Sequence, residues 1–182
     1  IYKPLMFCYY TKADVELKVL YFPLEETPER ILQRFICWLL FDFTKGEIRI
    51  SPRDLRSTTS PVDEEILDVI NSDEIQDIIK YFEDHVIFPE ETCNPTGIYK
   101  YCKQYAEDHG KVHTKLGKYK DELGVLQERQ VFDRYEQDNP NEYRLIIIDT
   151  INLIDTERGM NLKQSMDKLS EYLAKYLRNR YN

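Results

Sequence analysis

Three short apolar, β-rich runs interrupt a chain otherwise written at helical spacing, and they limit the fold more than any other feature of the sequence. Lys18-Val-Leu-Tyr-Phe22 stops at Pro23, Val86-Ile-Phe88 stops at a proline, and Leu145-Ile-Ile-Ile leads into Asp149. Apolar residues at consecutive positions suit strands covered on both faces, the pattern of a parallel sheet. Thr27-Pro28-Glu29 combines a capping hydroxyl, a preset first φ and an acid near the positive helix end, and Ile31, Leu32, Phe35, Ile36 and Leu39 follow at helical spacing. Tyr2 to Lys12 reads as a helix with Pro4 in its first turn. Further helices are predicted over 63–70, 72–82 and 94–108, the last ended by Gly110, with Ser51-Pro52 as one more helix start. Asn161 to Arg180 is amphipathic, with Leu162, Met166, Leu169, Leu173 and Leu177 on one stripe and a capping box from Asn161 and Gln164.

Strands alternating with helices predict an α/β domain in which helices flank a parallel sheet and the ligand site lies beyond the carboxyl ends of the strands. Lys111 to Tyr143 breaks this rhythm. It is polar, holds two glycines, and alternates over Val112–Leu116 and Arg129–Tyr135, so it reads as an inserted β-hairpin. At 182 residues, 42% of them hydrophobic, the chain has material for one core and is taken as one domain over 1–182.

No apolar stretch is long enough to span a bilayer; the longest, Ile31 to Phe43, contains Gln33, Arg34 and Asp42. Ile1 to Tyr10 lacks the basic region and cleavage site of a secretory signal. Cys8, Cys37, Cys93 and Cys102 form no CxxC pair, which fits a reducing, cytoplasmic setting. The net charge of -8 repels phosphate backbones, so nucleic-acid contact requires a local basic surface. From Arg158 onward six basic residues face two acids, although a solvated helix face accounts for most of those lysines.

Two of the three strands run into an acid at the sheet edge where ligands bind, Glu25 after the first and Asp149 at the end of the third. Four apolar residues before an aspartate suit a Walker B element, whose carboxylate holds magnesium, and equally suit an aspartate that caps a turn. The run from Val19 through Pro23-Leu-Glu25-Glu-Thr-Pro28 to Phe35 resembles the DnaB-type replicative helicase segment in which a strand ends Ser-Leu-Glu before a proline and an amphipathic helix. Pro23 stands at the family's serine and Glu26 at its methionine. Asp149-Thr-Ile-Asn-Leu-Ile154 is similar to that family's aspartate, aromatic, leucine, glutamine, leucine, methionine run, departing at Thr150 and Asn152.

The resemblance implies a partial RecA-like ATPase domain. In it Glu25 would polarise the water attacking the γ-phosphate of ATP, and Asp149 would hold Mg2+ through a water. Asn152 would stand near the nucleotide, and residues 155–161, with Arg158, would form a DNA-facing loop. The implied partners are single-stranded DNA, identical subunits in a ring, and a primase; the drifted motifs and the hairpin suit a phage-encoded member. No Gly-x-x-x-x-Gly-Lys-Ser/Thr loop occurs in the sequence. The family carries it just ahead of the position of Ile1, so these residues alone are expected to be inactive. A non-catalytic RecA-like scaffold, and a recombinase or repair ATPase of the same fold, stay open. His109, His113, Cys93 and Cys102 match no zinc-site spacing.

Overall fold

The computed structural model describes residues 1–12, 14–90, 93–120 and 122–181. These gather into two compact units, Ile1–Glu90 with Asn141–Leu153, and Glu91–Pro140 with Ile154–Asn182.

In the first unit, α1 (Tyr2–Thr11), β1 (Glu16–Pro23), α2 (Pro28–Phe43), α3 (Glu64–Ile70), α4 (Asp73–His85) and β2 (Val86–Ile87) follow one another, and β5 (Glu142–Asp149) completes the sheet. All pairing is parallel, in the order β2-β1-β5. Each predicted apolar run is a strand of this sheet. β1 is central, and its Val19, Leu20, Tyr21 and Phe22 are all buried, as consecutive apolar residues require. The main core joins Val19 and Tyr21 to Leu5 and Met6 of α1, Ile31, Phe35 and Leu39 of α2, and Ile75, Ile78 and Phe82 of α4. Phe35 and Phe82 stack with centroids 4.2 Å apart. α2 begins as expected, with Thr27 extended and Pro28 in the first turn, but the Thr27 side chain caps no backbone amide. Its hydroxyl instead hydrogen-bonds Glu29 and holds that carboxyl below its usual range.

Two expectations in this unit need correction. Ser51-Pro52 starts only a single 3-10 turn, Asp54–Arg56, because the Asp54 carboxylate folds back onto the Ser51 amide and hydroxyl at 2.8 and 2.7 Å. Glu142 and Tyr143, read as the end of the hairpin segment, are the first residues of β5, paired with Glu16 and Leu17.

The second unit contains α5 (Pro95–Asp108), the antiparallel strands β3 (Gly110–Lys120) and β4 (Leu126–Gln137), and the C-terminal helix. Asn94 caps α5 by accepting the Gly97 amide at 2.8 Å. Gly110 does not end α5 through a left-handed turn; it opens β3. A Cβ there would lie 2.2 Å from the Tyr135 hydroxyl, which donates to the carbonyl of Ala106 at 2.7 Å and to that of His109 at 3.1 Å. Close approach, not backbone freedom, requires the glycine.

The helix predicted over 161–180 has the expected capping box and runs as α6 (Leu162–Glu171), a π-helical turn (Tyr172–Leu177) and α7 (Arg178–Tyr181). Of the predicted stripe, Leu169 and Leu177 are buried and Met166 and Leu173 partly so, while Leu162, at the helix start, is exposed. No helix among the described residues is long and apolar enough to cross a membrane.

Candidate functional site

Parallel pairing of β1 with β5 sets Pro23 opposite Asp149, so both strands end at one rim of the sheet. The chain then turns across that rim. The amides of Leu24 and Glu25 both donate to the Asp149 carbonyl, at 2.6 and 3.2 Å. Glu25 and Asp149, chosen from sequence because each follows a strand, are thus joined by a backbone hydrogen bond at the carboxyl edge. Glu25 is exposed and makes no ion pair among the described residues; Asp149 is half-buried.

Two flanking contacts settle how these acids are held. The Tyr21 hydroxyl, two residues before Pro23 on β1, donates to Asp149 Oδ2 at 2.6 Å. Burial first, and then this bond to a carboxylate, push the Tyr21 hydroxyl pKa well above the usual tyrosine range, so it stays a donor. Glu26 is engaged by Arg34 of α2 through two contacts, Nη1 to Oε2 at 2.8 Å and Nη2 to Oε1 at 3.0 Å. Of the adjacent acids, Glu26 is tied to a helix and Glu25 is left for other work.

Asn152 is exposed within a 3-10 turn, Ile151–Leu153, directly after β5; the Asp149–Thr150 peptide is cis. Arg158 belongs to the second unit, where it is exposed on the loop between that turn and α6. With Asn94, Thr96, Gly97 and Lys100 of α5 and its start, the loop residues 155–158 border a cleft of about 580 Å³. Within this loop Glu157 accepts the Thr96 amide at 2.8 Å and lies 3.3 Å from Lys168 of α6. Hydrogen bonding to Thr96, then the Lys168 ammonium, holds the Glu157 carboxyl below its usual range.

Sequence reasoning did not find Tyr21, Arg34 or Glu157. For Tyr21 a signal exists, since a tyrosine in a buried strand needs an acceptor for its hydroxyl. For the other two there was none, because their partners lie eight or more residues away in sequence.

No group of three or more His, Cys, Asp or Glu among the described residues could hold a metal ion. Asp149 alone would therefore suit only a cation that keeps most of its waters and takes further ligands from phosphates, which is the habit of Mg2+. His109 bonds the Tyr105 carbonyl and stacks on Tyr105, while His113 pairs with Glu136 at 2.8 Å, so the two imidazoles serve the local structure. Burial pushes the thiols of Cys37 and Cys102 up to about 11 and about 12, leaving neither as a nucleophile near neutral pH. No protein-family profile, characterised protein or solved structure matches this chain.

Proposed function

We propose that these residues are part of a RecA-like ATPase domain of a DnaB-type replicative DNA helicase, coupling ATP hydrolysis to movement along single-stranded DNA. The observation that carries this reading is the junction of two acids at the carboxyl rim of adjacent parallel strands, with the Glu25 amide bonded to the Asp149 carbonyl. Beyond such a rim, open α/β sheets bind their ligands.

In this reading Asp149 holds the water shell of Mg2+, which on binding neutralises charge on the nucleotide phosphates. The Tyr21 hydroxyl fixes one carboxylate oxygen and leaves the other for that task. Glu25, exposed and free of Arg34, orients the attacking water and accepts its proton. Arg158 and its loop face the DNA backbone. ATP sits between identical subunits of a ring, and a primase is the further partner. The drifted residues around Glu25 and the β3-β4 hairpin suit a phage-encoded enzyme acting in the host cytoplasm.

Mn2+ with ATP, at millimolar concentrations, is expected to broaden the NMR amide signals of Leu24, Glu25 and Thr150 before others. Asp149→Asn removes this selectivity and Glu25→Gln keeps it. Broadening spread evenly over surface acids sinks the motor reading. The 182 residues alone are expected to show no ATP turnover, having no phosphate loop. A second reading is a RecA-like scaffold that has lost nucleotide binding, and selective broadening separates the two.

A further inference from the structure

The loop carrying Arg158 is held by more bonds than an exposed connection needs. The Asp155 amide donates to the Cys93 carbonyl at 2.8 Å. The Glu157 amide donates to Ser165 Oγ at 3.1 Å, and Ser165 is fully buried on α6. The Glu157 carboxylate spans outward in two directions, to the Thr96 amide on α5 and to Lys168 on α6. The Met160 amide closes the turn on the Glu157 carbonyl at 2.9 Å. Every one of these contacts lies within the second unit.

We propose that Glu157 is the positioning residue of this loop, clamping it between α5 and α6 so that Arg158, together with Lys100 across the cleft, presents a fixed pair of cations to a phosphate backbone. The clamp deepens the reading of Arg158 as strand-facing and rests on it. An acid lining a phosphate site, as Glu157 and Asp155 both line this cleft, is electrostatically unfavourable by itself, because it repels the ligand. Its place here follows from geometry. The amide and the Lys168 ammonium offset its charge, and the carboxylate contributes order, sparing the ligand the entropy of fixing a loop.

The clamp and simple electrostatics predict opposite signs. Removing a negative charge beside a phosphate site tightens binding if charge alone matters; removing the clamp weakens it. The test uses fluorescence anisotropy of a labelled oligo-dT at two salt concentrations, and amide hydrogen exchange on the same proteins, with circular dichroism to verify folding. Glu157→Ala is expected to weaken oligo-dT binding about as much as Arg158→Ala, roughly five- to tenfold. The amides of Thr96 and residues 157–160 should exchange faster. Glu157→Gln keeps an acceptor for the Thr96 amide and should recover part of both losses.

Tighter or unchanged binding by both Glu157 variants, with Arg158→Ala still weakened, overturns the clamp. So does unchanged exchange at Thr96 and 157–160. Oligo-dT binding that is indifferent to Arg158→Ala overturns instead the strand-facing reading of the loop, and exchange alone then decides the clamp.

Discussion

A buried aromatic pair and a half-buried imidazole show how single residues fix this fold. Phe35 is fully buried and stacks on Phe82 of α4, with Tyr2 of α1 5.2 Å away, so one ring ties three helices together. Phe35→Ala is expected to destabilise the first unit by about 3–5 kcal/mol, read from the shift of its urea unfolding midpoint. His85 closes α4 against the start of β1. It bonds the Tyr81 carbonyl, stacks on Tyr81, and lies near Glu16, Lys18 and Asp84. Burial lowers its pKa below the ordinary histidine value, so the folded state prefers the neutral ring and the unfolded state binds the proton more readily. Its contribution is therefore complete above about pH 6.5 and is lost as the pH falls through the lowered value. His85→Gln should flatten this slope between pH 7 and 5 relative to the parent chain, as measured by denaturant midpoints. Sequence made Glu25 and Asp149 legible because each follows an apolar run that must end at a sheet edge. It did not reveal Tyr21 as the partner of Asp149, since that contact depends on the β1-β5 register, which no local pattern encodes.

At the level of elements, signals within a helix's first turn were legible, whereas Ser51-Pro52 starts only a 3-10 turn and Gly110 opens β3 instead of capping α5. Capping signals placed the starts of α2, α5 and α6, because each rests on a side chain or proline within the first turn. Periodicity found the alternating halves of β3 and β4 but could not bound them. The hairpin is longer than its clean alternation suggests, as a register shift at His113/Thr114 changes which side chains share a face. The π-helical turn has no local sequence signal either; along it Tyr172 stacks on Tyr99 of α5 with centroids 4.5 Å apart, and Tyr176 packs beside both. The capping box of α6 holds the helix start that also bears on the Arg158 loop. Asn161→Ala is expected to cost about 1 kcal/mol and to speed amide exchange in the first turn of α6 while α5 keeps its protection.

For the whole molecule, the decisive fact is that the first unit is discontinuous in sequence. β1 is central in the sheet, yet β5, its longest pairing, arrives only after α5, β3 and β4 have been made. Contacts this far apart along the chain slow folding, because loop closure precedes any gain from pairing. A fragment ending at Glu90 retains every helix of the unit but leaves one edge of β1 bare and strips Ile147 from the core. It is expected to show no cooperative urea transition, and a sharp transition would contradict this account of the sheet. The chain crosses from Asp149 at the sheet rim, through one 3-10 turn, straight into the clamped loop of the second unit. Under the proposed function, the acid that meets the phosphates and the arginine that meets the strand stand nine positions apart along one continuous stretch of chain.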